Sequence, residues 1–143
     1  MLEFYDSDKN PFSSDSLRFK HDGHLGGTED KLIYVKNNDL TLYYTSITIG
    51  PVSENTNNIL GEWGETGFGL KLLYGQAQPT ETEWDQVKNG ESINIPDIGT
   101  TSAADNVNFY PIWVRNICPT MQSAQLKSDI SLAIGYSPKQ LGT

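Results

Sequence analysis

Between Ile112 and Tyr136 the chain reads IWVRNICPTMQSAQLKSDISLAIGY, in which a dense apolar run, Ile112-Trp113-Val114, precedes apolar residues at even spacing: Leu126, Ile130, Leu132, Ile134 and Tyr136. A period of two puts such residues on one side of a pleated strand, the signature of a sheet with one buried face. Leu32 to Ile49 repeats this alternation, and no catalytic signature interrupts either block. The two blocks predict a mainly β chain: an antiparallel β-sandwich, jelly-roll or immunoglobulin-like, working by contact rather than chemistry.

Working outward, Leu32 to Lys36 predicts a firm strand, and Asn37-Asn38-Asp39 tolerates left-handed backbone before Tyr43, Thr45, Ile47 and Ile49 alternate, which predicts a β-hairpin. Gly50-Pro51 should end its second strand. Five glycines between Gly61 and Gly75 predict a bend before a strand at Phe68 to Tyr74. Thr80-Glu81-Thr82-Glu83 fits a capping box that opens one short helix, about Glu81 to Asn89, with Gly90 as its stop and Trp84 and Val87 on its buried face. Short strands follow at Ser92 to Ile95, Phe109 to Cys118 and Ser128 to Tyr136. Leu17-Arg18-Phe19-Lys20 reads as a strand running into a glycine-bearing loop. Met1 to Phe12 reads as an edge strand or an extended arm, and Ser137 to Thr143 as a tail.

A chain of 143 residues is read as one domain, 1–143. At that size roughly 68 to 70% of the extended surface is buried in a single core. The lone cysteine, Cys118, has no partner for an internal disulfide, and its neighbours suggest a buried thiol. Ten Lys and Arg against eighteen Asp and Glu give a net charge of −8, so nucleic acid is an unpromising partner. Residues 1 to 20 carry Asp6, Asp8 and Asp15 where a signal peptide needs a basic start and an apolar core. No segment approaches the roughly 20 apolar residues of a membrane span, and the expectation is a soluble protein without an export signal.

Several constellations invite a chemical reading. Asp6-Ser7-Asp8-Lys9-Asn10 begins like a calcium loop, but Pro11 stands where glycine is needed and Leu17 where a glutamate is needed, so an Asx-rich turn is the better reading. His21, Asp22 and His24 fall short of a four-ligand zinc site, and no nucleophile elbow is present. Glu62, Glu65, Glu81 and Glu83 supply carboxylates for a glycosidase pair, yet Glu81 and Glu83 suit a helix N-terminus. Gly64, Gly67 and Gly69 match neither a P-loop nor a dinucleotide fingerprint. Catalytic, cofactor and metal residues are therefore expected to be none. Among the tryptophans, Trp84 and Trp113 read as core, whereas Trp63 in its glycine-rich loop is a candidate for a sugar or partner contact, or a packed loop anchor.

Phe68-Gly69-Leu70-Lys71-Leu72-Leu73, Pro79-Thr80-Glu81-Thr82-Glu83-Trp84, Pro96-Asp97-Ile98-Gly99 and Tyr110-Pro111-Ile112-Trp113-Val114-Arg115 follow one another in an order that resembles small virion structural proteins of tailed bacteriophages. Leu17 to Gly23 and Lys31 to Asn37 are similar to the same group. The resemblance spans most of the chain as texture, without an invariant motif. It implies a non-enzymatic head decoration (cement) protein, or a neck, tail or fibre-base component, present in many copies in the virion. The implied partner is the major capsid protein or another virion subunit, with no nucleic acid and no membrane. Phe4, Phe12, Trp63 and Phe68 are the candidate interface residues, on the arm Met1 to Phe12 and the loop Ser53 to Phe68, with the tail Ser137 to Thr143 beside them. A carbohydrate- or receptor-binding sandwich is the alternative of a different class.

Overall fold

The computed structural model of the chain describes residues 1–12, 27–53, 69–118 and 130–142. In chain order the elements are β1 (Leu2–Tyr5), β2 (Gly27–Asn37), β3 (Leu42–Ser53), β4 (Gly69–Tyr74), α1 (Glu81–Asp85), β5 (Ile93–Ile95), β6 (Tyr110–Cys118) and β7 (Ile130–Gln140). They form a four-stranded sheet of order β1-β2-β6-β4 and a three-stranded sheet of order β5-β3-β7, with every pairing antiparallel. The β-sandwich with one short helix is thus the observed architecture.

Alternation explains which side chains lie between the sheets. Phe4, Ile33, Val35, Leu70, Leu72, Ile112 and Val114 point in from the four-stranded sheet, and Tyr44, Ile47, Ile49, Ile95 and Leu132 from the other, forming one core with Leu2 and Ile98. In β3 the alternation changes phase at a bulge: Thr45 faces Ser137 and Thr48 faces Gly135, so two residues on β3 oppose one on β7. Ser46 takes up the extra length in left-handed backbone at φ 53, and Tyr44 before the bulge and Ile47 after it are both buried.

Three strand expectations change in the structure. β2 and β3 are not a hairpin, because β1 and β6 occupy both edges of β2 and the chain crosses at residues 38–41 to the opposite sheet. Asn37, fully buried at that corner, donates from Nδ2 to the Leu42 carbonyl (2.9 Å) and accepts the Asp39 amide on Oδ1 (2.8 Å), so no polar atom is wasted in the crossing. β3 does not stop at Gly50-Pro51 but runs on to Ser53 against β7. Its partner on the other side, β5, pairs only as far as Ile49, so Pro51 lies where one edge has no ladder to supply. The residues set aside as a tail, Ser137 to Thr143, belong largely to β7, which pairs with β3 as far as Gln140 opposite Leu42.

Met1 to Phe12 forms an edge strand rather than a free arm. β1 pairs with β2 from Leu2 opposite Asn37 to Tyr5 opposite Tyr34, and the chain then folds back so that the Phe12 amide donates to the Phe4 carbonyl (3.1 Å). The turn between them is the Asx turn read from the sequence: Asp6 Oδ1 accepts the amides of Asp8 and Asn10, both at 2.9 Å, and Lys9 sits in left-handed backbone at φ 65. The capping box is also formed, with Thr80 Oγ1 accepting the Glu83 amide (3.2 Å) and Glu83 Oε1 accepting the Thr80 amide (3.1 Å). The helix ends at Asp85, short of Asn89, because an acid rather than a base closes its last turn and the chain tightens, with the Val87 amide bonded to the Trp84 carbonyl at 3.1 Å.

Candidate interaction surface

The inward alternation of β6 leaves Pro111, Trp113 and Arg115 on the outer side of the four-stranded sheet. Trp113, expected in the core, is therefore half-buried there, with Leu32 and Leu73 opposite it on the neighbouring strands, and its Nε1 donates to the Gln76 carbonyl at 3.1 Å. Register sets Asp30 and Lys71 on the two sides of Arg115. Arg115 forks onto both oxygens of Asp30 (2.7 and 2.9 Å) and both oxygens of Glu81 (2.8 and 2.9 Å), and its guanidinium stacks 4.9 Å from the Trp84 ring. Lys71 Nζ donates to the Trp84 carbonyl at 3.1 Å. These contacts hold α1 flat on the sheet and close over Trp84, which is fully buried and whose Nε1 has no hydrogen-bond partner among the described residues.

Hydrogen bonding to Arg115 holds the Asp30 carboxyl below the ordinary aspartate value and the Glu81 carboxyl below the glutamate value. The Arg115 guanidinium is raised in turn, first by Asp30 and then by Glu81. Glu81 and Glu83 are thereby fixed in structural roles, one on Arg115 and one on the helix cap. A further acid, Asp105, accepts the Tyr110 hydroxyl and the amide and side chain of Asn108 (3.2 and 3.1 Å). Burial pushes the Asp105 carboxyl up, but the bonds from Tyr110, Asn108 and the Val107 backbone outweigh it and the net movement is down. The Tyr110 hydroxyl is raised, first by burial and then by Asp105.

Along the same outer face, toward β1, lies an aromatic group crowned by two ammonium ions. Phe109 meets Tyr5 edge-on (centroids 5.2 Å apart, 89° between planes) and Tyr34 (5.7 Å, 76°). Lys9 Nζ stands 5.1 Å from the Phe109 centroid and 5.8 Å from that of Tyr34, while Lys36 Nζ stands 5.5 Å from Phe109 and 5.9 Å from Tyr5. Sequence reading missed this group, since its members come from four segments. The outward parity of Tyr34 and Lys36 on β2 was the available signal.

The register also gathers exposed apolar side chains at one end of the sandwich. β2 finishes there at Asn37, β1 and β6 begin there, and β4 and β7 finish there. Met1 (56% exposed), Leu40 (72%), Val107 (71%) and Tyr74 (41%) all sit at this end, making four of the five large apolar residues exposed among the described residues. The fifth, Tyr136, packs edge-on against Tyr44.

Of the candidate interface residues, Phe4 is a core residue and Phe12 packs half-buried against it, with ring centroids 5.9 Å apart; the pair lines an open hollow with Glu3 and Pro11. Their apolar character reflects packing within the chain before any contact outside it. Trp63 and Phe68 lie outside the described residues, as do Leu17 to Lys20, His21, Asp22, His24, Glu62, Glu65, Gly64 and Gly67, and the side chain of Cys118. Among the described residues no three His, Cys, Asp or Glu side chains converge as metal ligands, and no helix is long and apolar enough to cross a membrane. No protein-family model, curated protein or solved structure matches this chain.

Proposed function

We propose that this protein is a non-enzymatic structural component of a tailed-bacteriophage particle. It decorates and stabilises the capsid through protein–protein contacts in many copies, with the major capsid protein or another virion subunit as partner. The observation that carries this reading is the end of the sandwich at which Met1, Leu40, Val107 and Tyr74 stay exposed while the two sheets behind them close on a buried apolar core. A sheet sandwich that spends its alternating apolar residues on a core has no internal use for Leu40 and Val107 at connection tips, and exposed apolar groups at one pole suit a partner. Repetition on a symmetric particle makes modest contacts sufficient. The texture of the sequence, similar to small virion proteins, supplies the setting, and the net charge of −8 fits an outer surface better than one lining packaged DNA. Neck, tail and fibre-base positions are the neighbouring possibilities within this class.

The test is co-sedimentation of purified protein with tailed-phage heads, empty and filled, and with isolated tails, all assembled without it. Pelleting with heads is expected, and Leu40→Ser together with Val107→Ser should release the protein into the supernatant while its melting temperature holds. Failure of the unaltered protein to pellet with heads or tails overturns the assignment.

A further inference from the structure

We infer that the outer edge of β7 is a pairing site for a second copy of this chain, the two β7 strands running antiparallel across a two-fold axis and joining the three-stranded sheets into one of six strands. This pairing goes beyond the assembly reading and does not depend on what the exposed end of the sandwich binds. Among the described residues the other three sheet edges are blunted by recognisable devices. β1 is backed by the returning chain, with the Phe12 amide on the Phe4 carbonyl and Pro11 bridged to Tyr5. Along β4 the Gly90 amide takes the Leu70 carbonyl at 2.8 Å, and β5 offers only Ile93–Ile95 before Pro96. β7 runs for 11 residues, its outer edge pairs with no described strand, and Ala133, Gly135, Tyr136 and Pro138 along it are exposed. From Ile130 to Pro138 it carries no charged residue, the usual guard of an open edge.

Register defines what this edge offers. Tyr44 exchanges main-chain bonds with Ile98, 2.9 Å each way, so it turns away from β7, and Pro138 opposite it points its nitrogen outward. The same parity along β7 sets the amides and carbonyls of Leu132, Ile134 and Tyr136 on the outer side, and Pro51, which has no amide, stands opposite Leu132 where none is called for. Donors and acceptors in that spacing are completed by another β-strand. A charged strand would bring ions to a row that has none to answer them, whereas the chain's own copy brings none. A two-fold axis at Ala133 places Leu132 opposite Ile134 on the core side, Ala133 opposite itself on the outer side, and the main chain of Ile130 opposite that of Tyr136. Pro138, which cannot donate, then falls just outside the ladder. Ile134, half-buried, and Tyr136, 41% exposed, gain a neighbour at the open side of the core. A contact that uses one edge twice closes on itself, so assembly through it stops at two.

Sedimentation equilibrium of the purified full chain, without heads or tails, reads the pair directly: a mass rising with concentration to that of two chains is expected. Tyr136 lies opposite the bulge of β3, so Tyr136→Pro removes an amide from the outer side alone. It should weaken association about tenfold, the worth of the two ladder bonds lost across the axis, with a melting curve establishing that the variant folds. Because an altered edge strand can fail to fold, cross-linking supplies a second measurement. Odd-numbered residues of β7 turn their main-chain bonds to β3, so Ala133 meets its copy as a closely spaced, non-bonded pair with Cα atoms about 4.5 Å apart, within reach of a disulfide. In a chain carrying Cys118→Ser, Ala133→Cys should form a covalent dimer in oxidised glutathione, while Asn94→Cys, exposed on β5 of the same sheet, should stay single. A chain that stays single at every concentration, a mass beyond two chains, a folded Tyr136→Pro that associates undiminished, or cross-linking no faster at residue 133 than at residue 94 overturns the inference.

Discussion

The two outer faces of the sandwich are built from the same alternation and end in opposite states. On the four-stranded sheet the outward positions hold Leu32, Leu73, Trp113 and Arg115, and the chain between β4 and β5 lies over part of them, burying Trp84. On the three-stranded sheet the corresponding row is Asn94, Thr48 and Gly135, with Ala133 beside it, and all four are exposed. Side-chain size decides the difference. Large outward residues demand a cover because leaving them wet forfeits the stabilisation of burying them, whereas small polar ones lose little in water. One face has become a second, minor core, and the other is open to water along this row.

The hardest blow to this contrast is Trp84→Ala. If the covered face is a true second core, deleting a fully buried indole should cost about 3–5 kcal/mol, read as a lowered midpoint in urea denaturation. A cost under about 1 kcal/mol, the range of an ordinary surface change, would show that α1 merely rests on the sheet. Arg115→Met probes the same layer through its charges and should cost about 2 kcal/mol, below the 3–5 typical of a fully buried pair because the Glu81 end of the fork lies in water. Its signature is pH. Both carboxyls are held low by Arg115, so their share of stability is complete above about pH 4, the unfolded carboxylate range, and is lost as pH falls through the lowered folded values. The unaltered protein should thus lose stability more steeply below pH 4 than Arg115→Met, and parallel curves would remove the network from the ledger of the covered face.

How far the sequence foretold this differs between the two layers. Inner-face residues such as Ile33, Val35, Ile112 and Val114 announce themselves because a period of two has a single buried solution, and the capping box at Thr80 and Glu83 is local in four residues. The covered face was opaque. Asp30 and Arg115 are 85 residues apart, and no local pattern tells a tryptophan on the inward parity from one on the outward, which is why Trp113 read as core. The pairing of β2 was equally hidden, since Asn37-Asn38-Asp39 has the composition of a hairpin turn while the strands that take its two edges are β1, which precedes it in the chain, and β6, which comes only after β3, β4 and β5. The aromatic–lysine group was illegible for the same reason, because Phe109, Tyr5, Lys9 and Lys36 converge only through the register of β1, β2 and β6.

The bare face sharpens the comparison through the smallest expected effect. Ala133 is exposed on β7 opposite Gly50, so Ala133→Lys adds a long charged side chain to a surface that nothing described covers, and should change stability by no more than about 0.5 kcal/mol. Thermal denaturation at matched salt is the measurement. A large loss would mean that this face is covered after all and that its small residues are fitted to a neighbour as Gly50 is fitted to Ser92, whose Oγ lies 2.0 Å from where a Cβ at residue 50 would stand. A silent substitution that nevertheless abolished attachment to heads would give the bare face a different meaning: smallness kept for a subunit that lies flat against it, with the chain covering its large residues itself and leaving only its small ones to the particle.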